Sequence, residues 1–305
     1  MSNAPRILIL GSGQLGRELQ RSFSGAGEIV SRDRRTVDFA AYEQLRDVVR
    51  SVAPDVIVNA VAYTAVDRAE TEPHIAMAVN GRAPAVLAEE ATRLGALLVH
   101  YSTDYVFDGS KASAWDETDP PNPLNKYGVS KLAGEDAIRQ IGGKFVILRT
   151  SWVYGPYGNN FMLTMLRLGR ERDHLRVVDD QIGAPTTSIE LGRGTRTLVD
   201  GVIEGTFGDA PSWAGTYHLT CSGSVSWYGF ASAIFSRAKT ALGVRVPALS
   251  PIPTSEYPTP AQRPMNSLLS NQKITARFGV RLAPWEVALD RVLAEMKGET
   301  SASTA

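Results

Sequence analysis

The chain has 305 residues with 32 basic and 32 acidic side chains, so its formal net charge is zero. This balance argues against a nucleic-acid partner, because proteins that bind nucleic acids concentrate positive charge. Cys221 is the only cysteine, which excludes an intrachain disulfide and fits a reducing compartment. The apolar run before the first glycines spans only residues 7–10, and no run reaches membrane-spanning length. We therefore expect a soluble cytoplasmic protein that has no membrane contact.

Strand and helix patterns alternate through the first half of the chain. Short apolar runs rich in β-branched residues predict buried strands at 6–10, 55–60, 96–102 and 144–151, with a weaker strand at 28–30. Helical patterns lie between them, at 14–24, 40–52, 74–94 and 126–141. This alternation predicts an α/β fold of the Rossmann type, in which helices cover both faces of a doubly wound parallel sheet.

The second half has shorter strand patterns and a cluster of prolines between residues 246 and 264. Helical patterns lie at 159–172 and 226–242, and an amphipathic helix is predicted near 282–296. We predict a dinucleotide-binding domain over residues 1–155 and a smaller mixed α/β substrate-binding lobe, interleaved with it, over residues 156–297. Residues 298–305 are expected to form a disordered tail.

The loop from Gly11 to Gly16 joins the first predicted strand to the first predicted helix. Its glycines have the spacing G-x-G-x-x-G, with Gln14 and Leu15 before the third glycine. In this context the first glycine permits a tight turn, Gly13 lets the backbone approach a pyrophosphate, and the third lets the helix pack closely on the strand. The free N–H groups of the helix N-terminus would then face the phosphates. The loop predicts a dinucleotide cofactor.

The residues after the second predicted strand bear on which dinucleotide is bound. Asp33 is able to accept a hydrogen bond from the ribose 2′-hydroxyl of NADH. Arg32, Arg34 and Arg35 surround it, and a guanidinium forms forked hydrogen bonds to a 2′-phosphate. The stretch therefore favours NADPH over NADH, and a solvated basic turn is the competing interpretation.

Tyr127 and Lys131 lie four residues apart in the helix predicted at 126–141, so their side chains share one face. The preceding strand ends at Thr103 and Asp104, and ligands bind at the carboxyl ends of parallel strands. Reduction of a ketone requires a proton donor for the new oxyanion. A lysine ammonium roughly 5 Å from a tyrosine favours its phenolate by about 3 kcal/mol, so we expect Lys131 to lower the pKa of Tyr127.

Several longer motifs carry a more specific resemblance: PDVIVNAVAYTAVDRAE, VNGRAPAVLAEEA, HYSTDYVFDG, NPLNKYGVSKLAGE, RTSWVYGPYGNNF, DDQIGAPTT, YHLTCSGSVSWYGFA and YPTPAQRPMNSLLS. Through them the chain resembles the extended short-chain dehydrogenase/reductases, and among these the enzymes that reduce dTDP-linked keto-sugars. The resemblance implies a dTDP-sugar substrate and NADPH- or NADH-dependent reduction of the C4 ketone of dTDP-4-dehydro-L-rhamnose to dTDP-L-rhamnose, a precursor of cell-surface polysaccharide. It also allows a homodimer.

The resemblance assigns Tyr127 as proton donor, Lys131 as its activator and ribose anchor, and Thr103 as an auxiliary hydroxyl. Together with the glycine loop and the arginine-rich stretch, it implies a set of cofactor-binding residues: Gly11, Gly13, Gln14, Leu15, Gly16, Arg32, Asp33, Arg34, Asp38, Phe39, Ala62, Tyr63, Thr64, Tyr101, Tyr127 and Lys131. The residues expected at the substrate are Thr103, Asp104, Tyr105, Trp152, Asn160 and Arg263. Of these, Arg263 is predicted from its proline-bounded loop to meet a diphosphate.

Two alternative functions remain open. Another nucleotide-sugar epimerase or dehydratase of the same superfamily would share the fold, although a dehydratase needs acidic partners after the threonine and only Asp104 follows here. A non-catalytic NADP-binding regulatory subunit would have no need of Thr103, Tyr127 and Lys131 together. No two of the four histidines have metal-ligand spacing, so we predict no metal site. The resemblance leaves magnesium open as a dimer-linking ion, but it assigns no ligands for one.

Overall fold

The computed structural model describes residues 4–302, with side chains through residue 298. Within these residues the strands are β1 (Arg6–Leu10), β2 (Glu28–Arg32), β3 (Val56–Asn59), β4 (Leu97–Thr103), β5 (Phe145–Thr150), β6 (Val153–Tyr154), β7 (His174–Val178), β8 (Ile182–Gly183), β9 (Thr186–Thr187), β10 (Gly215–His218), β11 (Val225–Ser226) and β12 (Ala248–Ile252). The helices are α1 (Gln14–Ser22), α2 (Tyr42–Val52), α3 (Val66–Ala69), α4 (Pro73–Met77), α5 (Ala83–Leu94), α6 (Lys126–Ile141), α7 (Phe161–Glu171), α8 (Ser188–Ile203), α9 (Trp227–Leu242), α10 (Gln272–Phe278) and α11 (Trp285–Ala302). A π-helical turn at Ala78–Arg82 joins α4 to α5.

Six parallel strands form the main sheet, in the order β10-β5-β4-β3-β1-β2. Its apolar side chains divide between two buried clusters, as the alternation of a strand requires. Ile7 and Ile9 pack with residues of α1 and α8, whereas Leu8 and Leu10 pack with residues of α2 and α5. Helices thus cover both faces of a parallel sheet, and the predicted Rossmann-type fold is confirmed.

The second half of the chain adds three small two-stranded sheets beside the main one. They pair β12 with β7, β11 with β8, and β6 with β9. The second half also supplies β10, an edge strand of the main sheet, and α8, which packs against α1. The regions predicted as a first domain and a second lobe therefore share elements. Within the described part of the chain, no helix is long and apolar enough to cross a membrane.

The sequence patterns of the first half predicted the elements of the structure well, but α8 and β10 were not predicted. The α8 segment contains three glycines, which lower helix propensity and mask its periodicity. All three are packing sites, since a Cβ on Gly192, Gly194 or Gly201 would lie less than 3 Å from a neighbouring side chain. β10 is only four residues long and begins with glycine, so it gives almost no strand signal.

The C-terminal helix extends further than the sequence predicted. α11 continues to Ala302, into the stretch 298–305 that was expected to be disordered. The only glycine in this helix, Gly298, costs roughly 1 kcal/mol and does not by itself end a helix. The last three residues of that stretch lie outside the described residues.

Candidate active site

The loop between β1 and α1 lines a cavity of about 530 Å³. Gly11 has φ +109°, a conformation that favours glycine. A Cβ on Gly16 would lie 2.1 Å from the carbonyl oxygen of Gly11, so only glycine lets α1 pack this closely. A Cβ on Gly13 would meet nothing within 4 Å, so the backbone there is open to an incoming group. This cradle fits the pyrophosphate of a dinucleotide, to which the N-terminus of α1 offers N–H groups.

Most of the residues predicted at the cofactor line this one cavity. They are Gly11, Gly13, Gln14, Leu15, Gly16, Asp33, Arg34, Phe39, Ala62, Thr64, Tyr101, Tyr127 and Lys131. Arg32, Asp38 and Tyr63 are outside this set. The guanidinium of Arg32 instead donates to its neighbour's carbonyl, Ser31 O, at 2.9 Å. The cavity thus brings the glycine loop and the Tyr–Lys pair together.

The carboxylate of Asp33 is already engaged within the protein. It accepts hydrogen bonds from Nε of Arg35 at 3.0 Å and from the backbone N–H of Arg35 at 2.9 Å. Hydrogen bonds from the side chains of Arg35 and Ser12 lower the pKa of Asp33. Arg34 lines the same end of the cavity, and it has no ion-pair partner among residues 4–298. A free guanidinium beside an occupied carboxylate suits a ribose 2′-phosphate better than a 2′-hydroxyl.

Asn80, in the π-helical turn, holds the segment that contains Tyr63. Its Oδ1 accepts from the backbone N–H of Tyr63 at 2.8 Å, and its Nδ2 donates to the carbonyl of Tyr63 at 3.1 Å. The same Nδ2 donates to Ser130 Oγ on α6 at 3.0 Å. The hydroxyl of Tyr63 donates to Glu72, so its side chain is bound within the protein. Asn80 was not singled out from the sequence, because its role depends on the contact between the π-turn and α6.

The helix that carries Tyr127 and Lys131 begins at a side-chain cap. Asn125 Oδ1 accepts from the N–H of Gly128 at 2.8 Å. A Cβ on Gly128 would lie 2.2 Å from the carbonyl oxygen of Tyr105, so α6 packs directly on the segment that follows β4. This packing places the Tyr–Lys face of α6 against the carboxyl end of β4.

The expectation that Lys131 lowers the pKa of Tyr127 is wrong. Burial raises the pKa of Tyr127 to about 12, against a hydrogen bond with Thr103 that lowers it. Burial also lowers the pKa of Lys131 to about 8, although the carboxylate of Glu135 raises it. The low-dielectric site disfavours charge on both groups, and this outweighs the attraction predicted from their spacing. Tyr127 therefore stays protonated at neutral pH, which is the form that a proton donor requires.

Three residues predicted at the substrate lie around Tyr127. Thr103 Oγ donates to Asp104 Oδ1 at 3.0 Å. Asp104 is buried, which raises its pKa to about 6 despite hydrogen bonds that lower it. The ring of Tyr105 meets the ring of Tyr127 edge to face, with centroids 5.8 Å apart. The hydroxyls of Tyr127 and Thr103 and a carboxyl group are thus gathered beside the cofactor cavity.

A second cavity, of about 620 Å³, lies in the second lobe between α7, β7 and the proline-rich loop. Its walls combine apolar side chains with polar and charged ones, and they include Trp227 and Arg263. Trp227 Nε1 donates to Gln181 Oε1 at 3.2 Å. Arg263 Nη2 donates to Asp67 Oδ2 on α3 at 3.0 Å, which ties the proline-rich loop to the first half of the chain. Trp227 was not among the substrate residues predicted from the sequence, because the aromatic-rich start of its helix is explained by packing and indicates at most a role in the substrate lobe.

Trp152 and Asn160 are placed differently from Arg263. Trp152 has φ +48° and stacks on Trp227 with ring centroids 3.5 Å apart, so Trp227 covers one of its faces. Asn160 Oδ1 caps α7 by accepting from the N–H of Leu163 at 3.0 Å. Its Nδ2 donates to Gln14 Oε1 at 3.1 Å, so it also supports the glycine loop. Neither residue is among those that line the second cavity.

Lys131 is held from behind by β4. Its Nζ donates to the carbonyl oxygen of Tyr101 at 2.5 Å and lies 3.4 Å from Nε2 of His100. His100 was not singled out from the sequence, because no local signal links it to Lys131. No group of three or more His, Cys, Asp or Glu within residues 4–298 is arranged to hold a metal ion.

This fold and this site define an extended short-chain dehydrogenase/reductase. A family model described as the RmlD substrate binding domain matches residues 5–297. The chain is 47% identical to the dTDP-4-dehydrorhamnose reductase of Burkholderia thailandensis, covering 93% of this chain and 96% of that one. It is 43% identical to the enzyme of the same name from Escherichia coli, covering 95% and 97%. A crystal structure of dTDP-4-dehydrorhamnose reductase from Bacillus anthracis in complex with NADP matches with a TM-score of 0.86 and 37% identity, covering 95% and 99%. The chain belongs to the dTDP-4-dehydrorhamnose reductase family, as the motifs predicted.

Proposed function

We propose that this protein reduces the C4 ketone of dTDP-4-dehydro-L-rhamnose to give dTDP-L-rhamnose, with NADPH as cofactor. The observation that carries the proposal is the convergence of the glycine loop, Tyr127 and Lys131 on one cavity. In a chain of this family, that convergence supports Tyr127 as the proton donor to a keto-sugar that lies beside the cofactor.

NADPH, when bound, supplies the hydride that converts the ketone to an alcohol. The Tyr127 hydroxyl donates its proton to the sugar oxygen as negative charge develops there, and its raised pKa keeps it protonated until then. The Thr103 hydroxyl offers that oxygen a second hydrogen bond. The Lys131 ammonium group, held by Tyr101 O, would hold the cofactor ribose by hydrogen bonds and would offset the charge of the phenolate that remains after proton transfer.

NADPH is proposed over NADH because of the residues that follow β2. The Asp33 carboxylate that would receive a 2′-hydroxyl is bound to Arg35. Arg34, in contrast, faces the same cavity without an ion-pair partner among the described residues. Residues 1–155 would then hold the cofactor, and residues 156–297, apart from α8 and β10, the sugar nucleotide. Within that lobe, Trp227 and Arg263 would receive the base and the diphosphate.

The proposal is tested by incubating the purified protein with NADPH and dTDP-4-dehydro-L-rhamnose and following the absorbance of the reduced nicotinamide. We expect one NADPH to be consumed for each sugar reduced. NADPH binding without oxidation would instead favour a regulatory subunit. Conversion of the keto-sugar without net consumption of cofactor would favour an epimerase or a dehydratase.

A further inference from the structure

A buried polar chain lies behind Lys131 and crosses from β3 to α6. Asn59 and His100 are partners in the parallel register of β3 and β4, and they are 2% and 0% exposed. Asn59 Nδ2 lies 3.0 Å from His100 Nδ1, and His100 Nε2 lies 3.4 Å from Lys131 Nζ. The reaction proposed above uses neither Asn59 nor His100.

The backbone after β3 determines which nitrogen of His100 carries the proton. Asn59 Oδ1 accepts from the backbone N–H of Val61 at 3.1 Å, so the NH₂ end of the amide faces the imidazole. An amide NH₂ group only donates, and a neutral imidazole has one donor and one acceptor nitrogen. Of the two donors that flank the ring, the Asn59 amide at 3.0 Å is closer than the Lys131 amino group at 3.4 Å, so Nδ1 of His100 accepts and the proton resides on Nε2, on the side of Lys131.

This tautomer affects the charge of Lys131. An N–H group that faces an ammonium is unfavourable. A neutral amine, in contrast, uses its lone pair to accept a hydrogen bond from that N–H group. Burial acts in the same direction and lowers the pKa of Lys131 to about 8. The carboxylate of Glu135, one turn further along α6, acts in the opposite direction, but it is bound by Arg149 on β5 at 2.7 Å. Tyr127, the other titratable group of this helix face, is uncharged at neutral pH because burial raises its pKa to about 12.

We propose that His100 is a positioning residue: held by Asn59 with its proton on Nε2, it directs the Lys131 amino group toward Tyr101 O and the cavity and makes that group release its proton more readily. The catalytic consequence rests on the proposed reductase function, whereas the tautomer does not. Loss of the Lys131 proton sets the alkaline limit of the reaction, and His100 sets where that limit falls.

The tautomer is tested on the wild-type protein by long-range ¹H–¹⁵N correlation spectra of its histidines. His74 and His174 are exposed, and the signals of the two buried histidines are identified by their loss in His100→Phe and in His218→Phe. We expect the neutral Nε2–H pattern for His100 from about pH 5 to 9. The Nδ1–H pattern, or an imidazolium within this range, would overturn the proposal. This result does not depend on enzymatic activity.

The effect on Lys131 is tested by the pH dependence of kcat/KM in His100→Phe, with His218→Phe as the matched control. Both histidines are 0% exposed, and His218 hydrogen-bonds to no part of the site. We expect the alkaline limb of the kcat/KM profile to move upward by about one pH unit in His100→Phe and to keep its wild-type position in His218→Phe. Equal shifts in both variants, or none in His100→Phe, would contradict the role of His100. Inactivity of the wild-type protein would refute the reductase function while the spectra still decided the tautomer.

Discussion

At the scale of the residue, the donor hydroxyl of Tyr127 is the group that the chemistry depends on most. Tyr127→Phe removes the proton donor but keeps the ring that packs edge to face on Tyr105. We expect kcat to fall by roughly 10²- to 10⁴-fold while the Kd for NADPH changes little, because acid catalysis contributes about that much. Steady-state kinetics and a fluorescence titration with NADPH measure the two quantities.

Tyr154→Phe is the control for this experiment. Tyr154 is 1% exposed, and its hydroxyl has no hydrogen-bond partner among the described residues, so its removal costs no interaction in the site. A near-normal kcat in Tyr127→Phe, or an equal loss in both variants, would show that the proton comes from another group.

The choice between NADPH and NADH also belongs to single residues. Arg34→Gln should raise the KM for NADPH by about 10- to 100-fold, the equivalent of one or two charge-assisted hydrogen bonds to a 2′-phosphate, and leave the KM for NADH nearly unchanged. Arg32→Gln is the comparison, because Arg32 lies outside the cavity lining. If the KM values for NADPH and NADH rise equally in Arg34→Gln, the Arg34 guanidinium does not bind the 2′-phosphate.

At the scale of the element, two glycines of the turn from β1 into α1 are needed for different reasons, one for packing and one for access to the cofactor. Gly16→Ala would force a Cβ to within 2.1 Å of a backbone oxygen, so we expect a lower melting temperature. Gly13→Ala meets no atom within 4 Å, so the fold should be unaffected while NADPH binds more weakly, since the new methyl group obstructs the pyrophosphate. Thermal unfolding and NADPH titration of both variants separate these effects. An unchanged melting temperature in Gly16→Ala would contradict the close packing of α1 on this turn.

The local elements of the site could be predicted because their signals lie in short stretches of sequence. The glycine spacing, the strand before it and the helix after it occupy residues 6–22 and agree with one another. The pair of Tyr127 and Lys131 lies on one turn of helix, so its common face follows from the spacing alone. Each of these inferences needs only local geometry.

The rest of the site depends on contacts between distant segments. Asn59 and His100 are 41 residues apart and meet only because β3 and β4 are neighbours in one register. Trp152 stacks on Trp227 across two different segments of the second half. The pKa of Tyr127 was predicted with the wrong sign because spacing gives the distance to a charge, whereas burial depends on the whole fold.

At the scale of the whole molecule, two fully buried histidines predict a loss of stability in acid. Burial lowers the pKa of His218 to about 3 and that of His100 well below its ordinary value. Both stay neutral in the folded protein, whereas the unfolded chain takes up their protons below about pH 6.5, so acid favours unfolding. Asp104, whose pKa is raised to about 6, acts in the opposite direction below that pH.

The contribution of one histidine is isolated by comparing wild type with His218→Phe. From about pH 6 to 4, the free energy of unfolding of the wild type should fall more steeply, by about 1.4 kcal/mol per pH unit, since one proton fewer is taken up when the variant unfolds. Urea denaturation at several pH values measures both slopes. Parallel slopes would mean that His218 is not neutral in the folded protein.

We propose that this protein delivers hydride to C4 of a dTDP-linked keto-sugar while Tyr127 supplies the proton. The most direct measurement is the NMR spectrum of the sugar formed from dTDP-4-dehydro-L-rhamnose and NADPH that carries deuterium at the transferable C4 position of its nicotinamide. We expect dTDP-L-rhamnose with deuterium bound to C4 of the sugar, and almost none of it from Tyr127→Phe. A product without deuterium at C4, or deuterated product formed equally fast by Tyr127→Phe, would contradict the proposal.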